Sequence, residues 1–589
     1  MLIFAEYVFM TFRWEVGLSQ KVCKESSLWW KKTVVYQIYP RSFYDSNKDG
    51  IGDLPGIINK LDYLNDLGVE TLWISPFFAG PGKDFGYDVT DYFNVSKDYG
   101  NLEDCFKLIR EVHRRKMKIV FDLVLNHTSD QHPWFLESKS SKDNSKRDYY
   151  VWRKGKKNDG QTPPNNWKSM VGGSGWHYDK STNEWYWSQF LPFQPDLNYR
   201  NPEVREKMLG VLRFWLDQGV DGFRLDIINA LFEDESLRDN PFSFKYLPSE
   251  DHPAQFFQEA KYSLNQEETL SFMKDVRSLV DGYRKPERFT VGEVMYAGMD
   301  TLKGFTGEDN SGLHLVFLFQ SLDLPLRCKE VAGLLRQYEK TFKEPNIPTL
   351  VFGNHDRFRR ASKLGKKDNI AKAKLNALLQ LTARGVPFIY QGEEVGMLNH
   401  HLPYYSSHDP FAKKYKLVPQ FIFDLLRRLY HFSVNRDECR TPMQWDDEVH
   451  GGFCSKSVKP WLPLSKEHKI RNVKVQEKDP QSLLSNYKKL LKLRKFLPQL
   501  CEGREEIIEN KDNKNILILK RYTDSEDAIL IIFNFSEKFQ ILKIDPLYRS
   551  IFSTQKDISS NVFGPWEGKI LVEKSSAFGI EKKMRLSLR

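Results

Sequence analysis

Eight short runs rich in β-branched and aromatic residues recur along the chain: VVYQIY (34–39), VETLWIS (69–75), KIVFDLV (118–124), VDGFRLDI (220–227), FTVGEV (289–294), LHLVFLF (313–319), TLVFG (349–353) and VPFIYQG (386–392). Each is almost continuously apolar, as a strand buried on both faces must be. Stretches of helical periodicity at 103–116, 203–218 and 371–384 lie between them, which argues for parallel βα units. Eight such units are what a closed (β/α)8 TIM barrel requires.

Residues 1–29 read as an N-terminal extension. The barrel then occupies 30–127 and 198–502, interrupted by two connections too long to be loops. The first, 128–197 after strand three, is rich in Trp, Gly, Asn and Pro and predicts a small irregular excursion domain on the C-terminal face. The second, about 395–475, follows strand eight. Structured insertions at that face usually shape a site. Beyond the helix at 482–497, alternating runs ILILKRY, AILIIFNF and FQILKI predict an antiparallel β domain over 503–589, read as a stability module.

Charge and cysteines exclude more than they suggest. The 88 basic against 78 acidic residues give +10, scattered without a basic stripe, so no nucleic-acid partner is expected. The six cysteines lack C-x-x-C spacing; most read as reduced and structural, with Cys439 and Cys454 near enough in sequence for a local bridge. The opening MLIFAEYVFMTF is too short to span a bilayer and lacks the marks of a signal peptide. A cytoplasmic protein without membrane contact is expected, secretion remaining open, and a monomer or weak homo-oligomer.

Within GVDGFRLDI, Arg224 and Asp226 are two residues apart on a strand and so face the same way, into the barrel near its C-terminal end. A buried ion pair is weak evidence for stability, so a functional pair is the better reading. Asp122 and His127 end strand three, Glu293 ends strand five, and His355 with Asp356 ends strand seven. Carboxylates meeting at one mouth push their pKa values apart and divide nucleophile from acid, as glycoside hydrolysis requires.

The motifs YQIYPRSF (36–43), DFGYDVTDY (84–92), DLVLNHTSDQHPWF (122–135), QPDLNYRNP (194–202), GFRLD (222–226), GEV (292–294), GNHD (353–356) and RDECRTPMQW (436–445) run in the order of one family. Over roughly residues 30–580 the chain resembles the α-amylase clan and, within it, the exo-acting α-glucosidase and oligo-1,6-glucosidase group. The resemblance implies a retaining α-glucosidase acting on short oligosaccharides or disaccharides, with no catalytic cofactor. It makes Asp226 the nucleophile, Glu293 the general acid and base, and Asp356 a ligand of the sugar 2- and 3-hydroxyls. Arg224 would orient Asp226, His127 and His355 would hydrogen-bond ring hydroxyls, Tyr87 would stack on the sugar, and Asp84 with Arg436 would close the pocket behind the terminal glucose.

DSNKDGIGD (45–53) spaces Asp45, Asn47, Asp49 and Asp53 like the start of an EF-hand loop but lacks its bidentate Glu, since Gly56 stands there. The resemblance implies a structural calcium or magnesium site here, with the Ile51 carbonyl as a further ligand; an Asx-rich turn without metal is the alternative. Trp152, Trp167, Trp176, Trp185 and Trp187 read mainly as the core of the excursion domain. Ile227 leans toward α-1,6 linkages by resemblance, while INALFEDESLRDNP leans toward maltose or sucrose, and Gln320 stands where relatives carry an acid. Two rivals remain: intramolecular glucosyl transfer, as in sucrose isomerases or trehalose synthases, and a non-catalytic transporter heavy-chain module, which would need a membrane anchor.

Overall fold

The computed structural model describes residues 28–586 apart from 158–159, 416, 431–433, 511–512 and 557–560. Most of the N-terminal extension, with Cys23, lies outside the described residues. The eight expected strands form one all-parallel sheet: β1 Val35–Ile38, β2 Thr71–Ile74, β3 Lys118–Val124, β4 Gly222–Asp226, β5 Phe289–Gly292, β6 Leu315–Val316, β7 Thr349–Val351 and β8 Val386–Tyr390. Their order, β6-β5-β4-β3-β2-β1-β8-β7, is that of a (β/α)8 barrel. Between β6 and β7 a hydroxyl replaces the ladder. Thr349 Oγ1 donates to the Val316 carbonyl at 2.9 Å and accepts from Leu318 N at 3.0 Å.

Helices α1 Leu102–Arg114, α2 Pro202–Asp217, α3 Glu267–Asp281, α4 Cys328–Thr341 and α5 Asn369–Thr382 pack outside the strands. Their starts are written in the sequence. Asn101 and Asp104 form a reciprocal capping box on α1, and Asn201 caps α2 ahead of Pro202. Leu108, Ile109 and Val112 bury one face of α1, which keeps β3 sealed from solvent.

The excursion leaves the barrel after β3 and returns through a neck of two bridges, His127 with Asp196 and Tyr150 with Leu197. Trp167, Trp176 and Trp187 pack on one another at 5.3–6.0 Å between ring centroids and form its core. Trp152 stacks on Phe135 and joins the main core, while Trp185 is only half-buried. The long connection after β8 folds back over the mouth as short helices and turns.

Helix α6, Leu483–Phe496, leads into an antiparallel sheet of five strands: β9 Arg504–Glu509, β10 Ile516–Tyr522, β11 Ile529–Asn534, β12 Tyr548–Ser553 and β13 Gly568–Glu573, in the order β9-β10-β11-β13-β12. Charged REEIIE gives no strand signal of its own; it pairs at the sheet edge, where charge is tolerated. A final helix, α7 Lys574–Leu586, was likewise not anticipated within a β domain.

Two expectations need correction or refinement. Cys439 and Cys454 are both free thiols: Cys439 Sγ bonds the His355 carbonyl at 3.2 Å and Cys454 Sγ the Val458 carbonyl at 3.3 Å. LHLVFLF supplies only two paired residues, because the chain turns into a 3-10 segment at Phe319–Ser321. The 45–53 loop packs on the insertion, where Trp461 N bonds the Gly50 carbonyl and Asp45 N the Phe453 carbonyl, each at 3.0 Å.

In that loop Asp45 accepts backbone N–H from Lys48 and Gly50, and Asp53 accepts from Ser46 and Gly56 as the cap of the next helix. Asn47 Nδ2 donates to Asp49 Oδ2, and Asp49 Oδ1 accepts from Ile51 N. The donor set is all oxygen, which suits a hard divalent cation. No three His, Cys, Asp or Glu side chains converge on one point among the described residues.

Candidate active site

The barrel register builds the site. On neighbouring strands Asp122 of β3 lies directly beside Arg224 of β4, and Asp226 follows Arg224 on the same face. Glu293 comes one residue past β5, after Gly292, where a Cβ would stand 2.5 Å from Ile228 Cδ1 and 2.6 Å from Leu313 Cδ1. A larger residue there would push on both side chains. Its neighbour is fixed through the backbone: Glu293 N bonds the Leu225 carbonyl and Ile228 N bonds the Glu293 carbonyl.

One buried guanidinium gathers the carboxylates. Arg224 Nη1 lies 2.8 Å from Asp122 Oδ1 and 2.5 Å from Asp226 Oδ1, while Nη2 lies 2.6 Å from Glu293 Oε2. Asp226 and Glu293 thus stand side by side on the two terminal nitrogens of one guanidinium. Burial pushes both carboxyls up and Arg224 pulls them back, which leaves Asp226 at about 6 and Glu293 at about 8. Asp122, raised by burial against the pull of Arg224, sits at about 6 and accepts a further bond from Trp73 Nε1 at 3.0 Å. The two exposed-side carboxyls therefore separate at neutral pH into an ionised and a protonated group.

A second network surrounds Asp356. Its Oδ1 is 2.6 Å from Arg440 Nη2 and 3.2 Å from Arg436 Nη1, and its Oδ2 is 3.1 Å from His355 Nε2. Burial favours its neutral form, but His355 and the two arginines outweigh it and hold the carboxyl well below the usual range. Arg436 also grips Asp84 at 2.6 Å and Asp409 at 2.8 Å, with its guanidinium over the Phe411 ring at 3.8 Å. Gln194 Nε2 donates to the other Asp84 oxygen at 3.2 Å.

Asp84, Tyr87, His127, Asp226, Glu293, Asp356 and Arg436 line one cavity of about 340 Å³, within the size of small-ligand sites. Arg224 and His355 stand behind its wall, 1% and 0% exposed. His355 bonds Gln37 at 2.8 Å and the Tyr87 hydroxyl at 2.7 Å, and its ring stacks on Tyr87 at 5.5 Å. Burial lowers it to about 3. His127 faces the cavity, with Nε2 bonded to the Tyr87 carbonyl and Nδ1 to Asn126, and burial lowers it to about 4.

Other parts fell outside the sequence expectations. Arg440 sits one helical turn after Arg436 inside RDECRTPMQW, so its motif was visible though its role was not. Asp409 caps the helix Pro410–Lys414 and reaches back to Arg436; nothing in SSHDP signals that pairing. Ile227 is wholly buried with Met170 and Tyr296, in a left-handed backbone conformation at φ 38° that is costly for a β-branched residue. It does not itself line the cavity, but Met170, Phe190, Met295 and Tyr296 of the same apolar cluster do. None of the five tryptophans lines the cavity.

Two carboxyls with separated protonation states on one arginine, and a third held ionised by two others, set at the C-terminal mouth of a (β/α)8 barrel, define a glycosidase-type centre. The α-amylase catalytic domain family matches residues 37–503, and the chain belongs to that family of glycoside hydrolases. A Rhizobium meliloti protein named probable alpha-glucosidase is 42% identical over 87% of this chain and 90% of its own length. The oligo-1,6-glucosidase of Parageobacillus thermoglucosidasius is 37% identical over 92% of this chain and 98% of its own.

Among solved structures, the alpha-glucosyl transfer enzyme XgtA superimposes with a TM-score of 0.83 at 36% identity, over 93% of this chain and all of that one. A trehalulose synthase gives 0.81 at 31%, over 92% of this chain and all of that one. Among the described residues no helix is long and apolar enough to cross a membrane.

Proposed function

We propose that the protein is a retaining α-glucosidase that removes a terminal α-linked glucose from short substrates. The observation that carries this is the Arg224-bridged pair: Asp226 and Glu293 lie 2.5 and 2.6 Å from the two terminal nitrogens of one guanidinium, the close placement of a retaining pair and not the wider one of an inverting pair. Asp226, ionised near neutrality, attacks the anomeric carbon. Glu293, protonated near neutrality, gives its proton to the departing glycosidic oxygen as that bond breaks. A glucosyl ester on Asp226 results. Glu293 then takes a proton from water, water attacks the same carbon, and Asp226 is released.

Asp356, kept ionised by its arginines, accepts bonds from the 2- and 3-hydroxyls that tighten as the ring gains positive charge. Asp84 and Arg436 close the deep end around the non-reducing glucose. Tyr87 stacks on the sugar, with His355 fixing its ring from behind, and His127 reaches a ring hydroxyl once its bond to the Tyr87 carbonyl is exchanged. Intramolecular transfer is the second reading, favoured by the likeness to a trehalulose synthase. Free glucose and fructose from sucrose support hydrolysis; an isomeric disaccharide supports transfer.

Calcium, or magnesium, at Asp45, Asn47, Asp49, Asp53 and the Ile51 carbonyl is part of the same proposal, as a structural ion that ties this loop to the insertion. A reducing, cytoplasmic setting is in keeping with the free thiols among the described residues. Hydrolysis of 4-nitrophenyl α-glucoside by the wild type and by Asp226→Ala, with the product anomer followed by NMR, tests the function. Retained α configuration and loss of turnover in the variant support it; equal turnover, or β product, defeats it.

A further inference from the structure

We infer that the mouth of this cavity takes α-glucosides whose leaving group is an extended apolar chain or ring system, which runs out of the pocket onto an external aromatic strip; this rests on the α-glucosidase reading above. Depth separates the two ends. Asp84 and Asp226 are 3% and 7% exposed, whereas Tyr246 and Leu247 at the opening are 51% and 40% exposed. A leaving group attached to a glucose held at the deep end must exit past the opening, whose walls are Tyr246, Leu247 and Phe256 on one side and Tyr415, Ile422 and Phe423 on the other.

These walls continue outside the pocket. In the segment FSFKY, Phe242, Phe244 and Tyr246 are each more than half exposed. The segment is held extended against 256–259 by bonds from Phe256 N to the Tyr246 carbonyl, Phe257 N to the Lys245 carbonyl and Ser243 N to the Phe257 carbonyl. Tyr246 meets Phe256 at 5.6 Å and Phe257 at 5.2 Å, Phe257 stacks parallel to Phe242 at 6.3 Å, and Phe242 meets Phe244 at 5.1 Å. Phe242 is 66% and Phe244 91% exposed, an arrangement that stability alone does not require.

The turn that presents these rings is the independent observation. Ala254–Gln255 pairs with Gln258–Glu259 across a two-residue connection, Phe256–Phe257, with φ of 52° and 62°. Such turns normally take Asn-Gly, because side chains strain there. Two phenylalanines in this place spend backbone energy to aim one ring into the pocket wall and leave the other on the surface, the pattern expected where function imposes the strain. Behind the strip, Glu250 is ion-paired with Arg357, the residue after Asp356, so the segment is pinned to the catalytic strand end. Few polar groups remain at the mouth for a second sugar: Gln255, the already paired Arg357, and tyrosines such as Tyr415, whose hydroxyl bonds the Val171 carbonyl at 2.9 Å.

The test compares kcat/KM for octyl α-glucoside, kept below its micelle concentration, with that for methyl α-glucoside and maltopentaose. The wild type should favour the octyl compound over the methyl by about tenfold or more, since several methylenes leave water. In Phe244→Ser/Phe257→Gly the octyl-to-methyl ratio should fall toward one, while the unfolding temperature holds or rises because glycine relieves the turn. A wild-type ratio near one, or a ratio unchanged in the variant, overturns the inference. So does a preference for maltopentaose that the variant loses, which would make the strip a sugar platform. Hydrolysis of maltose or sucrose without the octyl preference would sink this inference alone, and no hydrolysis of any α-glucoside would sink the functional reading.

Discussion

The deep end and the mouth of the cavity are built on opposite principles. At the deep end, Arg224 in the barrel and Arg436 in the insertion after β8 each hold three carboxylates, so charge and geometry are fixed before any ligand arrives. At the mouth, apolar side chains from two long connections stand partly open to solvent, packed on one another and carrying no charge. One end can do chemistry on a single sugar, and the other can only choose what is attached to it.

That contrast orders the expected effects. Asp226→Ala should lower kcat for any α-glucoside by at least about 10⁴-fold, whatever the leaving group, because a nucleophile acts as one unit with its neighbours. Glu293→Gln should cost about 10²–10⁴-fold on a disaccharide but clearly less on 4-nitrophenyl α-glucoside, whose leaving group departs without a proton. Equal losses on both substrates would break the assignment of Glu293 as acid.

Arg436→Leu should destabilise the fold by about 3–5 kcal/mol in denaturant unfolding, since Asp84 and Asp409 are left buried without their cation. Replacing an apolar mouth residue such as Leu247 by Ser should change stability by less than about 0.5 kcal/mol, as surface substitutions do. Comparable losses at both sites would erase the distinction between the two ends.

Protonation offers a finer probe. Activity needs Asp226 ionised and Glu293 protonated, so kcat/KM should rise through about pH 6 and fall through about pH 8. For stability the sign follows from the raised pKa of Glu293. Folding favours its neutral form, so that contribution is complete below the ordinary carboxyl pKa and is lost as pH rises to about 8. Glu293→Gln should therefore gain unfolding temperature over the wild type as pH goes from 5 to 8. The smallest effect expected is from chelation: EDTA should lower the unfolding temperature by a few degrees if the 45–53 loop carries its cation, with kcat little changed.

The same contrast explains what the sequence could disclose. Arg224 and Asp226 were legible because strand periodicity is local, and Glu293 and Asp356 because each ends a recognisable apolar run. Asp409 was not, for its partner Arg436 is 27 residues away in an insertion with no regular period. The brevity of β6 was hidden because a Thr349 hydroxyl, not a backbone ladder, bridges to the next strand. The turn at Phe256–Phe257 was hidden because it breaks the residue rule by which such turns are read.

The central claim is that Asp226 becomes covalently glucosylated, and a fluorinated α-glucosyl fluoride, which slows release of the ester, tests it directly. After reaction, peptide mass spectrometry should find one added sugar, carried by Asp226 within GVDGFRLDI. A sugar on Glu293, Asp356 or Asp122, or product formed at full rate with no adduct, would contradict it.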